Sequence, residues 1–143
     1  MAAAGFRAAL SAAALCAACT SIRADARTFA GTSWRVTAIN GQATPDAGPF
    51  VLRFQERLFD GRFGCNNAHG SYTVEGDKLI PVGVGTTEMA CDYPDDQPHA
   101  LPLMAWERWG FAVVRRPMRM QWKSGRQLTL SNAAGSIELE RLP

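Results

Sequence analysis

The stretch Thr32-Ser33-Trp34-Arg35-Val36-Thr37-Ala38-Ile39 decides the fold. Apolar and polar residues alternate along it, which places Trp34, Val36 and Ala38 on one side of an extended segment with a period of two. A half-buried strand follows from that pattern. Asn40-Gly41 then gives a turn, and Pro45, Gly48 and Pro49 make a loop before Phe50, Leu52 and Phe54 resume the alternation. Asp60-Gly61, set between Leu58-Phe59 and Arg62-Phe63, predicts a two-residue hairpin. A second hairpin is expected where Ser71 to Val74 and Lys78 to Pro81 flank Glu75-Gly76-Asp77.

Further strands are expected at Phe111 to Val114, Met118 to Trp122, Gln127 to Leu130 and Ser136 to Leu142, with turn residues Ser124-Gly125 and Ala134-Gly135 between the last three. One helix fits the chain, between about His99 and Trp109, with Asp95 and Asp96 placed to cap it and Pro102 in its first turn. Leu101, Met104 and Ala105 recur at helical spacing, and Trp106 and Trp109 add bulk for packing on a sheet. Eight or nine short strands and one late helix predict a mainly β, α+β fold: an antiparallel curled sheet or incomplete β-barrel with the helix over its opening.

Residues 1–26 differ in composition from the rest. Arg7 is the only charge before an Ala- and Leu-rich run from Ala8 to Ala18, too short to span a bilayer, which needs about 20 apolar residues. This grammar predicts a signal peptide followed by one domain over 27–143. Two processing readings stand. Cleavage after Ala24-Asp25-Ala26 releases a free chain beginning at Arg27, whereas Ala17-Ala18-Cys19 as an imperfect lipobox makes Cys19 a lipidation site and a membrane tether. Either reading places the protein in the periplasm or on the outer membrane.

The 143 residues carry 15 Lys plus Arg against 13 Asp plus Glu, too balanced a set to hold a polyanion, so nucleic acid is not an expected partner. Cys16 and Cys19 belong to the export segment, which leaves Cys65 and Cys91. In an oxidising compartment that pair reads as one disulfide, and closing such a loop stabilises by roughly 3–4 kcal/mol on the chain-entropy account. Two buried free thiols are the alternative.

The string Phe63-Gly64-Cys65-Asn66-Asn67-Ala68-His69-Gly70-Ser71-Tyr72, followed by Gly85-Thr86-Thr87-Glu88-Met89-Ala90-Cys91, stands apart from the simple alternation. Gly-Cys-Asn with Gly-x-Tyr and then Thr-x-Met-Ala-Cys resembles the signature of the META domain, the family that contains the heat-shock protein HslJ. Gly31 to Trp34, Asn40-Gly41 and the closing strands match its layout too, so the resemblance spans about Thr28 to Leu142. The chain departs from the pattern at Tyr93 to Pro102, where Pro94, Pro98 and Pro102 crowd the approach to the helix.

The resemblance implies a stress-linked envelope domain without enzymatic activity or cofactor, and a cracked barrel of the kind found in secretion-pilot lipoproteins. An envelope protein or a lipid would be its partner. Gly64, Cys65, Asn66, Gly70, Tyr72, Thr87, Met89 and Cys91 are the motif positions carried over.

Bland roles compete at each. The glycines supply backbone angles, Asn66 and Asn67 satisfy loop amides, Tyr72 and Met89 fill the core, and Thr86 and Thr87 bond backbone groups at a strand edge. The functional rival is a metal- or thiol-dependent sensor or enzyme built on Cys65, His69 and Cys91, with His99 as a fourth zinc ligand. No Gly-x-Ser-x-Gly supports a hydrolase. The basic run Arg115, Arg116, Arg119, Lys123 and Arg126, interleaved with Met118, Met120 and Trp122, reads first as a half-buried strand and second as a face for a membrane or an acidic partner.

Overall fold

The computed structural model describes residues 29–46, 48–90 and 102–143. Nine strands and one helix are described there. The strands are β1 (Thr32–Ile39), β2 (Gln42–Ala43), β3 (Phe50–Phe54), β4 (Leu58–Phe63), β5 (Asn67–Glu75), β6 (Lys78–Thr86), β7 (Met118–Ser124), β8 (Gln127–Asn132) and β9 (Gly135–Arg141). The helix α1 (Leu103–Val114) lies between β6 and β7. All pairings are antiparallel, and the order runs β1-β3-β4-β5-β6-β7-β8-β9 with β9 returning to pair with β1. Short β2 adds to the end of β1 through Ala38↔Ala43 and Ile39↔Gln42.

The expected curled or incomplete sheet is thus an eight-stranded barrel that closes. Trp34↔Arg141 and Ile39↔Ile137 bring the first and last strands together and remove the unpaired edge that an open sheet would carry. The shortest seam of the barrel is β6 to β7, which share Lys78↔Arg119 and Leu79↔Met118, because β7 begins at Met118 while β6 runs on to Thr86 against β5.

Alternation holds along most of the strands, but in β1 a bulge between Val36 and Ala38 turns Ile39 inward in place of the expected Ala38. Trp34, Val36 and Ile39 of β1 and Phe50, Leu52 and Phe54 of β3 all point inward and are buried. Met118 and Met120 enter the core of β7, while outward Arg119 pairs with Asp77 at 3.0 Å and Lys123 with Glu138 at 3.5 Å. The basic run is therefore partly spent on cross-strand ion pairs at the surface, where each contributes little.

Two aromatic layers fill the interior. At one end Phe29 stacks at 4.8 Å from Phe54 and within 6.3 Å of Trp34, Tyr72 and Trp122. At the other end Trp106 of α1 meets Phe50 edge-on at 5.8 Å, and Phe111 meets Phe63 at 5.9 Å. Phe50 and Phe54 open and close the same strand, so helix and Phe29 plug opposite mouths. Hydrogen bonds lock the Phe29 end: Trp34 Nε1 donates to Thr32 Oγ1 at 2.8 Å, and that hydroxyl donates to the Phe29 carbonyl at 2.6 Å.

Tyr72 completes this layer, its phenol donating to the Gln55 carbonyl at 2.8 Å. Burial raises its pKa above the ordinary value near 10. The neutral phenol therefore contributes its full stabilisation below pH 10, and that contribution is lost as pH rises through the elevated folded-state value. Tyr72→Phe is expected to cost about 1 kcal/mol at neutral pH and to flatten the alkaline loss of stability, both read from urea unfolding at pH 7 and pH 11.

Two expectations need correction. Asp60-Gly61 is not a turn: it lies within continuous β4, and the chain reverses at Gln55–Leu58, where Gln55 N–H donates to the Leu58 carbonyl at 2.8 Å. Gly61 instead provides room inside the barrel, since a Cβ there would sit 3.0 Å from Leu52 Cδ1 and 3.1 Å from Phe63 Cε2. The helix also starts later and ends later than expected. Pro102 occupies its N-cap with φ −62° and ψ 146° and offers no side-chain cap, and Phe111 to Val114 are helical rather than a strand. Asp95, Asp96 and His99 lie outside the described residues. Gly110 explains the misreading: it resembles a breaker, yet it is where the helix lies directly against the Phe63 ring with no space for a Cβ.

Candidate functional site

The signature residues meet where α1 seals the barrel. Glu107, on the inner face of α1, is only 3% exposed, and its carboxylate grips Asn66 with both oxygens. Oε1 accepts from the Asn66 backbone N–H at 2.6 Å and Oε2 from the side-chain Nδ2 at 3.0 Å. Asn66 in turn holds the segment after β6. Its Nδ2 donates to the Met89 carbonyl at 3.0 Å, while its Oδ1 accepts from Met89 N–H at 2.7 Å and from Thr87 Oγ1 at 3.0 Å. Thr87 Oγ1 also accepts from Asn67 N–H at 2.9 Å.

One asparagine side chain thereby ties three segments together, using the donor and acceptor faces that only an amide offers at once. A buried carboxylate survives in such a place because its oxygens are hydrogen-bonded. Gly64 makes the approach possible. Its φ of +151° suits glycine, and a Cβ would fall 2.8 Å from Glu107 Cγ and 2.9 Å from Oε1.

The other sequence-derived positions divide. Cys65 Sγ lies 3.5 Å from Asn66 Nδ2 and 3.8 Å from the Met89 carbonyl oxygen, inside the same cluster. Gly70 faces Phe59 across β5 and β4, and Tyr72 belongs to the distant Phe29 layer. Met89, expected in the core, is 58% exposed and contributes its backbone instead. His69 stands apart on the outer face of β5, its ring against Gly85. Among the described residues no group of three or more His, Cys, Asp or Glu stands together to hold a metal ion. Cys19, Cys91 and His99 fall outside the described residues.

Sequence reasoning missed Glu107. The signal was there: Leu103, Trp106, Gly110, Val113 and Val114 mark the buried helix face, and Glu107 is the one charge on it.

Two open grooves flank this frame. The larger, about 670 Å³, runs over the outer face of β3 to β6 between Arg53, Leu58, His69 and Val82, with Leu58 and Val82 about half exposed. The second, about 490 Å³, lies between α1 and the chain from Thr86 to Ala90, lined by Met104, Arg108, Phe111 and Arg115 on the helix side.

A closed antiparallel barrel, stoppered by one helix and braced by a buried asparagine–glutamate pair, defines a class of small β-barrel domain. The chain belongs to the META domain family, whose profile matches residues 27–141. No curated protein matches it. A protein solved by NMR is similar at a TM-score of 0.65 and 19% identity, over 80% of this chain and 92% of that one. A second NMR structure, of a protein from Burkholderia xenovorans, is similar at 0.61 and 22% identity, over 82% and 86%. These two likenesses concern the fold.

Proposed function

We propose that the protein is a non-enzymatic, stress-linked META-domain protein of the bacterial envelope that receives an apolar segment of a partner protein in the outer groove over β3 to β6. One observation carries this reading: the polar motif residues that chemistry would need are consumed in bracing the barrel, while the larger groove lies outside the brace and presents Leu58 and Val82 to solvent. Aromatic side chains occupy the barrel interior, so an apolar ligand is better received on the outside. Small surface grooves of this kind suit anchoring side chains.

Export of the chain and a Cys65–Cys91 disulfide belong to the same proposal. What supports the pairing is position: Cys65 Sγ lies 3.8 Å from the Met89 carbonyl oxygen, and Met89 is two residues short of Cys91 in the chain. The intact mass of the protein recovered from the envelope is expected to give either an N-terminus at Arg27 or a diacylglycerol adduct on Cys19, with two hydrogens missing for one disulfide. Two reactive thiols with stoichiometric zinc would instead favour the sensor or enzyme reading on Cys65, His69 and Cys91. For the groove, a photo-crosslinking residue at Val82 is expected to trap one discrete protein in living cells, and the same residue at Gln121 on β7 is expected to trap none. Equal capture at both positions, or none at Val82, refutes the groove.

A further inference from the structure

We infer that the second groove, between α1 and the chain from Thr86 to Ala90, is a binding site for a single-chain anionic amphiphile, and we commit to a fatty-acid carboxylate. It is separate from the partner groove over β3 to β6 and does not depend on it.

Met104, Arg108, Phe111 and the C-cap residue Arg115 recur at spacings of four, three and four, so they line one side of the groove with alternating apolar and cationic groups, the partly buried Phe111 at the same time packing inward on Phe63. Met104 is 54% exposed, and across the groove Met89 is similarly open. Two methionines and a phenylalanine make an adaptable apolar track.

Neither arginine is spent on an ion pair among the described residues, where the pairs engage Arg35, Arg53, Arg119 and Lys123. Glu88 also lines the groove and pairs with neither arginine. Arg115 is held ready: its guanidinium donates to Thr86 Oγ1 at 3.0 Å and lies 5.8 Å from the centre of the Phe111 ring. A guanidinium has five N–H donors in a planar fork, so the remaining ones can receive a carboxylate in bidentate fashion. With the head on Arg115, the chain runs over Phe111 toward Met104 and Met89. At about 490 Å³ the groove is in the lower part of the range for small-ligand sites, which suits one acyl chain rather than the two of a phospholipid.

Calorimetric titration of the purified exported protein with dodecanoate below its micellar concentration tests this. Saturable one-to-one binding is expected, weakened at least tenfold in Arg108→Gln/Arg115→Gln, abolished in Met104→Glu and tightened in Glu88→Gln, with melting curves confirming that each variant is folded. Dodecanol, the same chain without charge, is expected to bind at least tenfold more weakly than dodecanoate. Absence of saturable dodecanoate binding, equal affinity for dodecanol, or unchanged affinity in the folded arginine variant would each overturn the assignment. Binding to phosphatidylglycerol vesicles without binding of monomeric dodecanoate would also overturn it, in favour of a bilayer surface.

Discussion

Asn66→Ala is expected to destabilise the domain by about 3–5 kcal/mol, a large share of the total stability of a domain this size. The substitution removes the Nδ2 donor from Glu107, whose carboxylate remains buried, and leaves the Met89 N–H and carbonyl without their amide partner. Oε1 keeps the backbone N–H of residue 66, but Oε2 loses its side-chain donor in a buried site, and losing a hydrogen bond to a carboxylate there costs more than losing an ordinary one, with the two Met89 bonds lost in addition. Asn66→Asp should be at least as damaging although it preserves shape, since a second carboxylate would face Glu107 at hydrogen-bonding distance and could donate nothing when ionised. Urea unfolding followed by far-UV circular dichroism measures both. A change below about 1 kcal/mol would mean that the brace is ornamental.

Phe29→Ala is the second large effect, expected at about 3–5 kcal/mol. Phe29 is fully buried and touches the rings of Trp34, Phe54, Tyr72 and Trp122. Truncation leaves a cavity at a barrel mouth whose walls are hydrogen-bonded strands and cannot collapse to fill it. The position also bears on processing, because cleavage before Arg27 retains the plug as the third residue of the mature chain. Chains beginning at Arg27 and at Ala30 should therefore differ in melting temperature much as wild type and Phe29→Ala do. Equal melting temperatures for the two would remove the plug from the account.

Strands were readable because their alternation is a local property: Phe50–Phe54 and the last three strands show in the sequence what each buries, as does Thr32–Ile39 up to Val36, beyond which a bulge exchanges Ala38 for Ile39. Closure was not readable, since the pairing of Trp34 with Arg141 joins residues over a hundred positions apart and no local signal encodes it. The reversal at Gln55–Leu58 contains no glycine, proline, asparagine or aspartate, so turn chemistry pointed to Asp60-Gly61 instead. Gly61 and Gly110 mark close approaches of Leu52 and Phe63, which look like turns or breaks until the partner is known. Of the site, Gly64, Cys65, Asn66, Thr87 and Met89 were legible as motif positions. Their common purpose was not, because the group that unites them is Glu107, on an element whose boundaries the neighbouring prolines obscure.

The central claim is that Asn66 and Glu107 act as one structural unit holding the helix in the barrel. A double-mutant cycle of Asn66→Ala and Glu107→Gln, read by urea unfolding at pH 7, tests it most directly. The account predicts that the double variant is less destabilised than the sum of the two single variants by more than about 1 kcal/mol. Additivity within about 0.5 kcal/mol would contradict it.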